Sequence, residues 1–218
     1  MTRPAAPRVI VIPDPRFAAG ATIESLAAAA IKGGADAIQL RAKGLGGDEL
    51  QALGRRLAAA CRAGGALFFV NDDAAAALAC GADGVHVGPG DSAPGQARRL
   101  LGERGLVGVS VYAEEDLERA LSACADYVAV GAVYPTNTKA IAVVGLDGVR
   151  LLRGKTRLQI VAIGGIDVTN AAAAIAAGAD GVAVIAAVSG ASDPEAATRG
   201  LCAQVRAALD ARSRRRGY

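Results

Sequence analysis

A seven-residue phrase recurs four times along this 218-residue chain, and it constrains the fold more than any other feature. Each copy contains Ala-Asp followed by a mostly apolar stretch, and the aspartates are Asp36, Asp83, Asp126 and Asp180. An alanine-rich stretch with helical spacing precedes each copy, so the phrase predicts a helix, a tight turn and a buried strand. A second set of strands fits between the copies. The repeat is therefore a double βα unit, and four such units predict a (β/α)8 TIM barrel of the α/β class.

Composition is consistent with a single domain over residues 1–218. Hydrophobic residues make up 52% of the chain and aromatic residues only 3%, so the core must consist of alanine, valine, leucine and isoleucine. Such side chains are typical of the layered interior of a parallel barrel. No apolar run reaches the roughly 20 residues that a membrane span needs, and the N-terminus lacks the apolar core of a signal peptide. We therefore expect a cytoplasmic protein without a membrane partner.

The four cysteines are widely spaced and include no C-x-x-C pair, so they predict neither a zinc site nor a disulfide framework. Cys61, Cys80 and Cys124 lie on or just after apolar helical runs. We expect these three side chains to be small buried hydrophobes, as in a protein of the reducing cytoplasm.

Four arginines occupy the last seven positions, residues 212–218. A solvated, frayed tail is the ordinary interpretation of such a segment, and contact with nucleic acid or another polyanion is the alternative. No aromatic residues are interleaved with these arginines. We expect a basic frayed tail and no nucleic-acid partner, and the sequence leaves homo-oligomerisation open.

Cationic side chains follow the predicted strands, at the end of the barrel where such folds carry their active sites. The chain has twenty arginines and four lysines, yet two of those lysines, Lys43 and Lys139, fall at this end. Gln39, Arg41 and Lys43 alternate along one strand, so all three can face the barrel mouth. Lysine and arginine are suited to phosphate oxygens. This arrangement predicts a site for a strongly anionic ligand.

Two carboxylates follow neighbouring predicted strands, Asp72 after the third and Asp91 after the fourth. They fit a salt-bridge cluster, and they equally fit Mg²⁺, which takes a few carboxylates together with substrate phosphate oxygens. We favour the metal. A diphosphate would then lie between the metal and the lysines.

Gly164-Gly165 follow the seventh predicted strand and indicate a second anion site. Loops seven and eight of a barrel often bind phosphate through backbone amides, whereas a simple tight turn is the alternative. We favour phosphate. The mouth is thus expected to accept one metal-bound diphosphate and one monophosphate.

Four further polar or aromatic residues receive structural interpretations. His86, the only histidine, can face the mouth or fill the core, and we favour the core. Ser110 has no histidine or acid near it in sequence, so we expect it to hydrogen-bond an anion rather than act as a nucleophile. Tyr112 and Tyr134 are expected to pack within loops.

The motifs together resemble those of the thiamine phosphate synthase family, in the same order and over nearly the whole chain. The combination of P-T-x-T-K with the acid pair is the most specific part of the resemblance. The matching segments are 39–43 (Q-L-R-x-K), 71–72 (N-D), 82–91 (A-D-G-V-H-x-G-x-x-D), 108–110 (G-x-S), 135–139 (P-T-x-T-K), 144–146 (V-G-L) and 162–166 (A-I-G-G-I).

The resemblance implies a transferase reaction. Members of that family join 4-amino-2-methyl-5-(diphosphooxymethyl)pyrimidine to a thiazole phosphate, giving thiamine phosphate and pyrophosphate. The family mechanism is dissociative and Mg²⁺-assisted: the bond to diphosphate breaks first, and the thiazole nitrogen captures a pyrimidine carbocation. Such a reaction needs no protein nucleophile, and none is found in the sequence.

The resemblance also assigns residues. Asp72 and Asp91 would hold Mg²⁺. The catalytic positions would be Arg41, Lys43, Ser110 and Lys139. The pyrimidine diphosphate would be bound by residues 39–43 (Gln39, Leu40, Arg41, Ala42, Lys43), with Asn71, Ser110 and Lys139. The thiazole phosphate would be bound by Thr136, Asn137, Thr138, Gly165, Ile185 and Ala186.

Three positions depart from the family pattern. Ala42 replaces a common glutamate, which would remove a partner that orients Arg41 or Lys43. Ala186 replaces a common serine, so a hydroxyl contact to phosphate would be lost while the backbone amide remains. Pro89 replaces a frequent glutamine and affects loop shape. The expected metal ligands and cations are all present.

Two other functions compete with this one. The sister family of thiazole tautomerases shares the barrel, but that activity is expected to need a histidine shortly after Ser110, where this chain has Tyr112. A non-catalytic barrel that binds a phosphate ligand is the second alternative, and it rests on Ala42 and Ala186.

Overall fold

The computed structural model describes residues 5–138 and 142–216 and has one closed barrel of eight parallel strands in chain order. The predicted single-domain (β/α)8 fold is confirmed. The strands are β1 (Val9–Val11), β2 (Ala37–Leu40), β3 (Leu67–Asn71), β4 (Gly84–Val87), β5 (Leu106–Val111), β6 (Tyr127–Val130), β7 (Gln159–Ile163) and β8 (Gly181–Val184). The helices are α1 (Ile23–Lys32), α2 (Gly47–Gly64), α3 (Ala74–Cys80), α4 (Pro94–Leu101), α5 (Glu114–Ser122), α6 (Gly145–Lys155), α7 (Ala171–Ala177), α8 (Ala186–Ser189) and α9 (Pro194–Arg216).

The interior of the barrel holds a small apolar cluster that is separate from the main core. Its centre is Phe69 and Tyr127, whose rings meet edge to face with their centroids 5.9 Å apart. Glycines on the neighbouring strands leave room for these rings. A Cβ at Gly84 would lie 2.5 Å from the Phe69 ring, and a Cβ at Gly108 would lie 2.1 Å from the Tyr127 ring. The chain has few aromatic residues, and two of them fill the barrel interior because each lies against a glycine on a neighbouring strand.

The main core lies between the barrel and its helices. Alternate strand residues point outward, and they pack against alanine-rich helix faces such as those of α3 and α7. Small side chains on these faces let the helices approach the strands closely. None of the described helices combines the length and hydropathy that a membrane-spanning helix requires.

The four repeated aspartates perform the same structural task at the amino end of the barrel. The side chain of Asp83 accepts a hydrogen bond from the Phe68 backbone N–H at 2.8 Å, and its own N–H donates to the Phe68 carbonyl at 2.9 Å. Asp36, Asp126 and Asp180 make the same pair of bonds to the residue opposite them on the preceding strand. The repeat thus ties each even-numbered strand to the odd-numbered strand before it.

The turn before each repeated aspartate requires a left-handed backbone. Gly34, Gly81 and Gly178 have positive φ, and Cys124 takes the same place in the third copy with φ 51°. The prediction of a buried Cys124 is wrong, because this turn projects the side chain into solvent. Cys61 and Cys80 are buried, as predicted.

The basic end of the chain continues the last helix instead of fraying at residue 212. Helix α9 extends to Arg216, and the Arg212 guanidinium donates to the Asp180 carboxylate at 2.7 Å. It also donates to the carbonyls of Ile175 and Ala179, at 3.1 and 2.6 Å. The expectation of a frayed tail is therefore wrong for Arg212, which anchors α9 to the loop between α7 and β8.

Candidate active site

A cavity of about 280 Å³ opens at the carboxyl end of the barrel, where the sequence predicted the site. Residues from nearly every βα loop reach it. The predicted site residues that line it are Gln39, Arg41, Lys43, Asn71, Asp72, Asp91, Ser110, Thr136, Thr138, Gly165, Ile185 and Ala186. Lys139 lies outside the described residues.

Three predicted binding positions do not line this cavity. Leu40 is fully buried and packs in the outer core between strands and helices, because it alternates with the inward-facing Gln39. Ala42 packs at the edge of the same outer core, and Asn137 is exposed. Only the backbone of Leu40 and Ala42 can therefore serve a ligand in the cavity. Since the side chain of residue 42 points to the outer core, the loss of the common glutamate leaves the cavity wall intact.

Two cations at the mouth are available to an anion. Arg41 is half-buried and Lys43 is exposed, and both face the cavity. Neither forms an ion pair within the part of the chain that the structure describes. Below them, the Gln39 Nε2 donates to the Asn71 Oδ1 at 2.6 Å, which orients both amides across β2 and β3. Within the described parts of the chain, therefore, no carboxylate neutralises the positive charge of the mouth by direct contact.

The two predicted metal ligands come together opposite these cations. Burial and the nearby Asp91 carboxyl group raise the pKa of Asp72 to about 6, while Lys43 and Arg41 act in the opposite direction. Asp72 has φ 70°, a left-handed conformation that aspartate tolerates better than most residues. Its backbone N–H is held by the His86 carbonyl at 2.8 Å. The structure therefore holds two carboxyl groups together although they repel each other.

The paired carboxyl groups have the chemistry to hold Mg²⁺. Mg²⁺ prefers oxygen ligands and commonly takes one or two carboxylates together with phosphate oxygens and water. Among the described residues there is no group of three or more acidic, histidine or cysteine side chains suited to a metal. Two carboxylates in a cationic mouth fit a metal whose other ligands are phosphate oxygens and water.

The loop after β6 is held against the end of β7. The Tyr134 N–H donates to the Gly164 carbonyl at 2.9 Å, and a Cβ at Gly165 would lie 2.6 Å from the Pro135 carbonyl oxygen. Gly164 and Gly165 also have positive φ, at 93° and 64°. Close approach and backbone conformation thus both require glycine at these two positions. Gly165 also lines the cavity, and its contact with phosphate stays a prediction.

The P-T-x-T part of the same loop is shaped by its own hydroxyl groups. The Thr136 Oγ1 accepts from the Thr138 backbone N–H at 3.2 Å and donates to the Thr138 hydroxyl at the same distance. This local turn points both threonines into the cavity.

His86 and Tyr127 are further functional candidates at this site. His86 is buried, as expected, but it also lines the cavity, with its Nε2 2.9 Å from the Ser110 Oγ and its Nδ1 3.1 Å from the Tyr127 hydroxyl. No histidine lies near Ser110 along the chain, but the distant His86 contacts it in the folded protein. The strand register could have shown it, because His86 pairs with Gly108, two residues before Ser110.

The Ser110–His86 pair is nevertheless a poor nucleophile and base. Burial lowers the pKa of His86 to about 4, so the imidazole is neutral at pH 7 and accepts protons weakly. The expectation that Ser110 hydrogen-bonds a ligand is consistent with this environment. Tyr112, expected to pack within a loop, instead lies partly exposed at the cavity wall.

Comparison with known proteins shows which family this chain belongs to. The family model described as thiamine monophosphate synthase matches residues 9–188. A thiamine-phosphate synthase of Roseiflexus sp. (strain RS-1) is 44% identical over 208 residues, or 94% of this chain and 88% of that protein. One from Methanoregula boonei is 44% identical over 88% of this chain and 89% of that protein. The solved thiamine phosphate pyrophosphorylase from Pyrococcus furiosus is 38% identical and has a TM-score of 0.84, over 93% of this chain and 96% of that chain. The chain belongs to the thiamine monophosphate synthase family.

Proposed function

We propose that the cavity joins 4-amino-2-methyl-5-(diphosphooxymethyl)pyrimidine to a thiazole phosphate, releasing pyrophosphate and forming thiamine phosphate. One observation carries the proposal. Two mutually repelling carboxyl groups, Asp72 and Asp91, lie in the same mouth as Arg41 and Lys43, two cations that form no ion pair among the described residues. A diphosphate together with a divalent cation would satisfy both groups. The carboxylates of Asp72 and Asp91 would hold the metal, and Arg41 and Lys43 would contact phosphate oxygens.

The proposed reaction is dissociative. The bond between the pyrimidine methylene carbon and the diphosphate oxygen breaks, and its electron pair leaves with pyrophosphate. The resulting carbocation is delocalised over the aminopyrimidine ring. The thiazole nitrogen then donates its lone pair to the methylene carbon and becomes the positively charged nitrogen of a thiazolium. No proton has to be removed for this bond to form, which agrees with a cavity whose histidine is a weak base.

Residues of this chain would stabilise the charge that develops on the leaving group. Arg41 and Lys43, together with the predicted Lys139, would contact the diphosphate, and Gln39 and Asn71 would orient the pyrimidine. Asp72 and Asp91 would hold Mg²⁺, which when bound neutralises charge on the departing diphosphate. Donors arranged in advance where charge develops are among the largest contributions to catalysis.

The thiazole phosphate would bind on the opposite wall. Thr136 and Thr138 offer hydroxyl groups, and Gly165, Ile185 and Ala186 also line the cavity. The apolar residues Val161 and Ile163 also line the cavity and would contact the thiazole ring. We place the reaction in the cytoplasm, where the four free cysteines would stay reduced.

Pyrophosphate release on mixing the two substrates tests the proposal directly. We expect release that requires both substrates and Mg²⁺, stops with EDTA, and falls by at least about 100-fold in Asp72→Asn. Asparagine is chosen because it tolerates the positive φ of residue 72. Asp73→Asn is the matched control: it removes the adjacent carboxylate, which caps α3 outside the cavity, and asparagine retains the cap.

Each contrary outcome excludes a particular part of the proposal. Release that persists in EDTA would exclude the metal role. Tight binding of the pyrimidine diphosphate without any release would exclude the transferase and support a non-catalytic phosphate-binding barrel.

A further inference from the structure

We propose that Tyr127 and His86 form a hydrogen-bond chain of fixed direction that holds the Ser110 hydroxyl as a donor toward the ligand in the cavity. The identity of that ligand rests on the proposed function, whereas the direction of the chain rests on the protein alone. Tyr127 and His86 are thereby positioning residues that act through Ser110.

The strand register brings the side chains of His86 and Tyr127 together. His86 on β4 pairs with Gly108 on β5, and Gly108 pairs with Tyr127 on β6, so the three residues lie in one row across the barrel interior. Gly108 has no side chain, and the Tyr127 phenol fills the space beside it. A Cβ at residue 108 would lie only 2.4 Å from the Tyr127 hydroxyl oxygen. The imidazole and phenol rings stack with centroids 5.6 Å apart. A glycine between two polar side chains thus lets them meet.

Burial decides the direction of the chain. Tyr127 is fully buried, and within the described residues its hydroxyl has one hydrogen-bond partner, the His86 Nδ1. A buried hydroxyl hydrogen needs an acceptor. If Nδ1 carried the imidazole proton, the phenol oxygen would accept it and the phenol hydrogen would have no acceptor. The phenol therefore donates to Nδ1, and the imidazole proton is on Nε2.

The tautomer in turn sets the role of Ser110. With its proton on Nε2, His86 donates to the Ser110 Oγ over 2.9 Å. The serine oxygen then accepts within the protein, and its own hydrogen is directed to another acceptor. Ser110 lines the cavity, so a ligand can supply that acceptor. The chain selects a ligand atom that accepts a hydrogen bond, such as an oxygen of the diphosphate, over one that donates.

The tautomer can be measured without any substrate. His86 is the only histidine in the sequence, so in tag-free ¹⁵N-labelled protein its two ring nitrogens give unambiguous NMR signals. At pH 7 we expect the Nε2–H tautomer, with Nδ1 in the unprotonated range. In Tyr127→Phe, where Nδ1 loses its donor, we expect a shift toward a mixture of both tautomers. Nδ1–H in the wild-type protein would overturn the proposal.

A kinetic double-mutant cycle tests whether the chain acts through the serine. We expect Ser110→Ala and Tyr127→Phe each to lower kcat/KM, by roughly 30-fold and roughly fivefold. The double variant should be no worse than Ser110→Ala, because without the hydroxyl there is nothing left to orient. A purely structural role of Tyr127 would instead make the losses multiply, and that result would overturn the proposal.

Two further variants control for packing. His86→Gln retains an amide donor near the Nε2 position and should keep more activity than His86→Leu, which has similar bulk and no donor. Ile160→Val removes a methyl group from the outer face of β7 and should leave kcat/KM unchanged in either serine background. If the wild-type protein releases no pyrophosphate, the proposed function fails, and the NMR measurement still decides the inference.

Discussion

At the scale of one residue, the charge and backbone conformation of Asp72 at the candidate site lower the stability of the folded protein. Its carboxyl group is partly buried, lies beside Asp91 and has a left-handed backbone, and the first two conditions raise its pKa to about 6. Asp72→Asn removes the charge while tolerating the same backbone conformation. In EDTA at pH 7 we expect this variant to have a free energy of unfolding about 1–2 kcal/mol above that of the wild type, as measured by urea denaturation.

The same measurement across pH checks the physical cause. The pKa of Asp72 in the folded protein, about 6, lies above the value of roughly 3.9 in an unfolded chain. The folded protein therefore binds this proton more tightly, and the contribution of Asp72 to stability falls as pH rises from about 4 to about 6. The advantage of Asp72→Asn should be absent near pH 4 and complete at pH 7. An advantage that does not change with pH would exclude charge as its cause.

At the scale of the element, the repeated aspartates join neighbouring strands at the end opposite the cavity. Asp83→Ala leaves the Phe68 N–H without its side-chain acceptor, while the backbone bond between the two residues remains. We expect a loss of about 1–3 kcal/mol in the free energy of unfolding. Asp83→Asn supplies an amide oxygen in the same place and should lose less than about 1 kcal/mol.

Measuring pyrophosphate release distinguishes this structural role of Asp83 from a catalytic role. Both Asp83 variants, once folded, should release pyrophosphate at the wild-type rate, because the carboxylate lies at the amino end of the barrel. Equal destabilisation by alanine and asparagine would show that the acceptor bond is not what Asp83 contributes.

At the scale of the whole molecule, helix α9 closes the circle of helices around the barrel. It packs against α1, α7 and β1, and the Cys202 thiol donates to the Gly34 carbonyl. Arg212 joins its far end to Asp180 and two carbonyls. Arg212→Ala should lower the free energy of unfolding by about 2 kcal/mol, since it leaves a partly buried carboxylate and two carbonyls without this donor. Thermal and urea denaturation of the folded variant measure the loss.

The matched control is three residues further along the helix. Arg215 is exposed, and Arg215→Ala should change stability by less than about 0.5 kcal/mol. If both arginine variants are equally tolerated, the anchoring of α9 through Arg212 contributes nothing measurable and the tail is frayed in the way its sequence indicated.

Local pattern was sufficient to predict the eight strands, the barrel and the end that carries the site, but not the short helix α8. Alternation along β2 and into the residue after it places Gln39 and Arg41 on one side and Leu40 on the other. Any parallel barrel also brings the carboxyl ends of its strands to one mouth. Contacts between distant residues were harder to predict. The absence of a histidine near Ser110 in sequence proved misleading, because His86 reaches it across two paired strands.

The sequence by itself determined the four double units, the motif order and the family, because these depend on periodicity and on residues close together along the chain. Only the tertiary structure decided how the elements meet: the Tyr127–His86–Ser110 chain through the space left by Gly108, the outward packing of residue 42, and the anchoring of Arg212. The physical reason is that strand register and burial arise when the barrel closes. These two properties decide which polar groups face one another and which way their hydrogen bonds run.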